Sequence, residues 1–132
     1  INYRCGTGHS VSFVGNVHEG PHALNGRNTT LMRPGMIVTD EPGVYETDLV
    51  GIRIENELVC VHKADNQYGT FLGFEPIMFV PIATSPVVPG VLTRDELDWL
   101  NAYHREVFTK LAPHLTEEER NWLAKKCAAI GA

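Results

Sequence analysis

The sequence has no basic surplus. Eleven Lys and Arg stand against sixteen Asp and Glu, a formal net charge of −5, so bulk electrostatics offers no hold on a phosphate backbone or an anionic membrane. Neither nucleic acid nor a membrane is expected as a partner. Apolar runs are short: none approaches the roughly 18 residues of a membrane span, and no charged, apolar, small-residue leader opens the chain. A cytoplasmic location is expected. Paired cysteines are missing too. Cys5, Cys60 and Cys127 are odd in number, far apart and outside any C-x-x-C spacing, which excludes a disulfide framework or a cysteine-only zinc site and fits a reducing compartment. The chain opens Ile1-Asn2-Tyr3-Arg4 without Met, and is read as cut from something longer.

What is present, 132 residues with 43% hydrophobic and 20% charged side chains, has the size and balance of one globular domain or a large piece of one. Gly, His and β-branched residues dominate up to about residue 62, and Leu, Ala, Glu and Lys dominate from 93 to 130. The class expected is α+β, strands first and helices last. Pro34-Gly35, Pro42-Gly43 and Pro89-Gly90 read as turns; the first two frame a strand-like run from Met36 to Glu41, which puts Glu41 at a strand's end. Val50 to Val61 alternates as a single strand, with Ile52, Ile54, Leu58 and Cys60 on one face and Arg53, Glu55, Glu57, Val59 and Val61 on the other. Phe71 to Val80 reads as a further buried strand or extended segment interrupted by Pro76. Thr93-Arg94-Asp95-Glu96 is a capping box ahead of Leu97, Leu100, Tyr103, Val107 and Leu111, and predicts a helix from about 94 to 111 that Pro113 ends. Thr116 to Glu119 opens a second helix.

Two histidines, His9 and His18, sit in glycine-rich context, where spacing alone favours plain loop histidines over ligands. Glu41 and Glu55 are more suggestive, because a carboxylate among Ile52, Ile54 and Leu58 is costly to bury without a cation or hydrogen-bond donors. Two readings of Glu55 stand side by side: a surface pair with Arg53, or a metal ligand. One imidazole and two carboxylates suit Mn, Co, Fe or Zn. A serine or cysteine nucleophile is disfavoured, since Cys5, Ser10 and Ser12 lie near His9 but no G-x-S-x-G turn exists. Gly6-Thr7-Gly8 lacks the remainder of any phosphate-binding loop.

Five ordered blocks, Gly6-Thr7-Gly8-His9, Asn16-Val17-His18-Glu19-Gly20-Pro21, Pro34 to Gly43, Gly51 to Asn56, and Phe74-Glu75-Pro76, together resemble the aminopeptidase P (Xaa-Pro aminopeptidase) branch of the pita-bread metallopeptidases. The resemblance implies the C-terminal half of a pita-bread fold, a curved antiparallel sheet with C-terminal helices. Residues 1–92 would be the partial catalytic domain with the metal-site strands and loops, and 93–132 its helical extension. It further implies a site for two divalent metal ions, Mn being usual with Co or Zn as alternatives. Five ligands are implied, of which His9, Glu41 and Glu55 match three; two aspartates and a further substrate-binding histidine would lie outside these residues.

The implied activity is removal of the N-terminal residue from peptides with proline second, by an activated water. Glu41 would shuttle the proton, His18 would bind substrate and stabilise the oxyanion, and Arg53 would orient the ligands. Alone, the chain is expected to be inactive and to hold at most one metal ion, weakly. A homodimer is implied, with Trp99, Tyr103 and Trp122 as contacts. Cys5 departs from the family's pattern, standing where a substrate-lining histidine is common, and Ser10 and Ser12 depart from a usual His-Gly-Val-Gly; a neutral thiol changes substrate contacts more than catalysis. The alternative reading is a non-catalytic pita-bread interaction module, against which the retained ligands argue.

Overall fold

The β-branched runs fold into short antiparallel pairs. The computed structural model describes residues 5–131, which fall into two compact units divided between Met78 and Phe79. In the first unit β1 (Gly8–His9) pairs with β2 (Ala23–Leu24), and β4 (Gly43–Glu46) forms a hairpin with β5 (Val50–Arg53). A three-stranded sheet runs in the order β3 (Ile37–Asp40), β6 (Asn56–Asn66), β7 (Gly69–Pro76). Val38 on β3 and Cys60 on β6 are fully buried, and an antiparallel bridge between Ser10 and Val38 ties the end of β1 to the free side of β3. That junction is tight: a Cβ at Gly8 would lie 1.8 Å from the Thr39 carbonyl oxygen, so only glycine lets the two backbones meet.

The sequence reading of this unit needs three corrections. Val50 to Val61 is not one strand, because the chain changes partner at Ile54 and Glu55, leaving β4 at Arg53 and joining β3 at Asn56. The Ile54 N–H bonds to the Pro42 carbonyl oxygen at 3.4 Å instead of continuing a ladder. Glu55 is therefore exposed at a crossover between sheets, not set among apolar neighbours on a strand. Secondly, β6 continues past His62 through a register shift to Asn66 and turns over Gln67 and Tyr68 into β7, where Gly69 takes φ +134°. Finally, β7 stops at Pro76, short of Val80, since proline cannot donate to the ladder, and Phe71, Leu72 and Phe74 on it are exposed and not buried.

In the second unit both helices begin as expected. α1 (Arg94–Leu111) and α2 (Glu117–Lys126) each carry a complete capping box, Thr93 with Glu96 and Thr116 with Glu119. These bonds hold the Glu96 and Glu119 carboxyls below their ordinary pKa. A single turn of 3₁₀ helix, Ala112–His114, follows α1 and contains Pro113. Tyr103, Val107 and Leu123 form the core of the unit, with Phe79, Ile82, Phe108, Leu111, Leu115 and Cys127 packed around them. The Tyr103 hydroxyl donates to the Val80 carbonyl oxygen at 2.9 Å. Of the three aromatic residues expected at a dimer contact, Tyr103 is thus interior, while Trp99 and Trp122 are more than half exposed. The Asn101 side chain clasps Ile130, donating to its carbonyl oxygen at 3.1 Å and accepting from its N–H at 3.0 Å, which fixes the chain after α2 to α1.

His104 on α1 is fully buried. The Ile82 N–H donates to its Nε2 at 3.1 Å, so the neutral ring carries its hydrogen on Nδ1. Burial pushes its pKa below the usual 6.5. Below about pH 6.5 the unfolded chain takes up a proton that the folded chain refuses, so stability falls with pH in that window and is fully present above it.

Two predictions follow from this packing. Replacing the interior Leu123 by Ala should lower stability by about 2–5 kcal/mol, whereas Trp122→Ala beside it should cost about 0.5 kcal/mol or less, as read by urea unfolding. The thermal midpoint should also drop as pH is lowered from about 7.5 to about 5.5, with a shallower slope in His104→Gln; an equal slope in the variant would assign the effect elsewhere.

Candidate metal centre

Alternation along β3 puts Thr39 and, just past the strand's end, Glu41 on one side. Thr39 is buried, and its hydroxyl works in two directions: Oγ1 accepts from the His9 backbone N–H at 3.0 Å and donates to Glu41 Oε1 at 2.9 Å. The Glu41 main chain is fixed as well, its N–H bonding to the Thr7 carbonyl oxygen at 2.6 Å. Arg53, at the end of β5, reaches back across the Gly43 to Arg53 register of the hairpin and donates to Glu41 Oε2. The same guanidinium donates to the Glu41 carbonyl oxygen at 2.7 Å and, through Nε, to the Tyr45 hydroxyl at 2.8 Å. The Tyr45 hydroxyl raises the pKa of Arg53 further, so its positive charge is permanent. Gly51 makes room for the Tyr45 ring, since a Cβ there would lie 2.7 Å from it.

His9 completes the cluster. Its Nδ1 lies 3.0 Å from the Ser10 carbonyl oxygen, and its Nε2 lies 2.9 Å from Glu41 Oε1. A carbonyl only accepts, so Nδ1 carries a hydrogen and Nε2 is the atom turned toward the carboxylate. An imidazole nitrogen and a carboxylate oxygen then converge on one point, an arrangement that a bound cation satisfies. His18 stacks against His9 with ring centroids 4.2 Å apart and a 44° tilt. The Cys5 thiol lies 3.5 Å from the Gly43 carbonyl oxygen.

The structure therefore brings together His9, His18, Glu41 and Arg53 of the residues singled out in the sequence. It keeps Glu55 apart: Arg53, its expected partner, is engaged by Glu41, and Glu55 is exposed at the crossover. Among the described residues no three His, Cys, Asp or Glu side chains gather as a metal site. The donor set fits one edge of a coordination sphere, the His9 and Glu41 edge. Sequence reasoning missed Thr39 and Tyr45. Thr39 was within reach, because a residue two positions before Glu41 on a strand shares its face; Tyr45 depends on the hairpin register.

The match to known proteins runs the length of the chain. The model of metallopeptidase family M24 matches residues 1–62, and that of the C-terminal region of peptidase M24 matches residues 70–130. Aminopeptidase P2 of Arabidopsis thaliana is 47% identical over 130 residues, covering 93% of this chain and 18% of its own length. A probable Xaa-Pro aminopeptidase P of Coprinopsis cinerea is 41% identical, covering 98% of this chain and 22% of its own. Among solved structures, X-prolyl aminopeptidase from Caenorhabditis elegans, described as a cytosolic enzyme with a di-nuclear active site, superposes with a TM-score of 0.84 at 39% identity, over 95% of this chain and 21% of that one. The chain spans about a fifth of the length of these relatives. Two consecutive regions of one family matched in order, and a shared α+β fold, lead to one assignment: the chain belongs to metallopeptidase family M24.

Proposed function

We propose that this chain is the C-terminal part of the catalytic domain of a dinuclear metal-dependent aminopeptidase that removes the first residue from peptides with proline second. The observation that carries the reading is the convergence of His9 Nε2 and Glu41 Oε1, with Thr39 and Arg53 fixing the carboxylate from both sides. Residues 1–92 supply the metal-site strands and loops, and 93–132 a helical extension of the same domain. His9 and Glu41, whose donor atoms converge, are two metal ligands of this part; Glu55, which the structure leaves exposed at the crossover, is the third and has to turn toward them to share an ion, and the remaining anionic ligands come from sequence outside it. The ions, Mn in the first instance, supply Lewis acidity when bound.

The chain's own groups do the rest. Glu41 takes up the proton that the attacking water loses and passes it to the leaving proline nitrogen. His18, stacked on His9, donates a hydrogen bond to the developing oxyanion. Arg53 holds the Glu41 carboxylate in its orientation, a positioning role. Cys5 lines the substrate pocket, where a thiol cannot serve as a cation. A cytoplasmic homodimer, with the exposed Trp99 and Trp122 at the contact, completes the proposal.

Paired peptides differing only in Pro or Ala at the second position test the reading, with the full-length protein and the 132-residue chain each supplied with Mn. Cleavage of the Pro peptide by the full-length protein alone is expected. Cleavage by the isolated chain would refute the need for outside ligands, and failure of the full-length protein to bind metal would favour an interaction module. Replacing Arg53 by Met should lower metal affinity or kcat about 10–100-fold, measured in the full-length enzyme by metal titration and initial rates.

A further inference from the structure

The turn after β2 brings three chemical features to one peptide bond. Of the eight asparagines in the chain, only Asn25 is followed by glycine. Asn25 and Gly26 are both exposed, on an open concavity of about 660 Å³ that Pro21, Arg27 and Asn28 also line. The Asn28 N–H closes the turn by donating to the Asn25 carbonyl oxygen at 3.2 Å, and inside it the Arg27 N–H donates to Asn25 Oδ1 at 2.9 Å. That second bond folds the side-chain amide back over the peptide that follows it. Among the described residues neither the Gly26 N–H nor Asn25 Nδ2 has a hydrogen-bond partner.

These are the requirements of an intramolecular amide exchange. The Gly26 nitrogen loses its proton to hydroxide or water and bonds to Asn25 Cγ; the Cγ–Nδ2 bond breaks, and Nδ2 takes a proton from solvent and leaves as ammonia. The product is a five-membered succinimide. Water then adds to one of its two carbonyls and opens the ring, leaving aspartate or isoaspartate at position 25, with nothing oxidised or reduced. Negative charge builds on Oδ1 during the attack, and the Arg27 N–H already points at that oxygen. Glycine adds no Cβ to crowd the approaching carbon, and a Cβ at Gly26 would meet nothing within 4 Å, so alanine there would obstruct the reaction without disturbing the packing. Asn28 lacks these features. Its Nδ2 donates to the Thr30 carbonyl oxygen at 2.8 Å, its Oδ1 accepts from the Thr30 N–H at 3.2 Å, and β-branched Thr29 follows it.

We infer that Asn25-Gly26 is a modification site at which water converts asparagine to aspartyl and isoaspartyl forms from the folded state. Either form adds one negative charge, and isoaspartate adds a carbon to the backbone directly after β2, the strand whose Ala23 pairs with His9. None of this chemistry passes through the metal centre. Peptide mapping by mass spectrometry during incubation of the full-length protein, with isoaspartyl carboxyl methylation as a second readout, tests it. The peptide containing Asn25 is expected to exchange NH2 for OH, faster at about pH 8.5 than at about pH 7, and at a rate within about tenfold of that of a synthetic peptide of residues 19–31. A reaction that needed global unfolding would lag that peptide roughly 10³-fold or more. Gly26→Ala should slow the exchange about tenfold or more without lowering the thermal midpoint, and Asn28 should stay intact. Exchange more than tenfold slower in the folded protein than in the peptide, equal rates in wild type and Gly26→Ala, or Asn28 reacting as fast as Asn25 would overturn the inference.

Discussion

The Thr39 hydroxyl is the point through which the first unit becomes a site. It is buried, it takes the His9 backbone N–H, and it gives its own hydrogen to Glu41 Oε1. A single oxygen thus sets both the height of β1 against β3 and the rotation of the carboxylate that His9 faces. Valine would keep the shape and lose both bonds, leaving a buried N–H unpaired. The alternative anchors are not equivalent. Arg53 grips the other carboxylate oxygen from a hairpin that shares no sheet with β3, and is itself held by the Tyr45 hydroxyl. With one clamp from within the sheet and one from outside it, Glu41 is held on both oxygens.

Much of this was legible in the residues, and what was not has a physical reason. Both helices announced themselves, because a capping box and a three-to-four apolar rhythm are local signals that need no tertiary context. Glu41 at a strand's end followed from the Pro-Gly pair after it. Glu55 was misplaced because alternation continues unbroken from Val50 to Val61 while the backbone changes partner in the middle; period reports which side a residue faces, not which strand it pairs with. The short β1 and β2 escaped notice for a related reason. Two residues make no period, and their pairing is stabilised by the Gly8 contact with Thr39 and the bridge from Ser10 to Val38, both of which are long-range.

The same short segment divides its side chains between two environments. In extended backbone successive side chains leave on opposite sides, so His9 turns to Glu41 while the Ser10 side chain is buried on the other side. Gly8 makes this division necessary. With no Cβ to hold it off the Thr39 carbonyl, β1 lies close on β3, and the Ser10 side chain beside it is buried. The burial that holds His9 in register is therefore also what leaves Ser10 and His22 short of partners. An approach tight enough to aim His9 at Glu41 also buries, one residue further along, a hydroxyl that no protein group bonds.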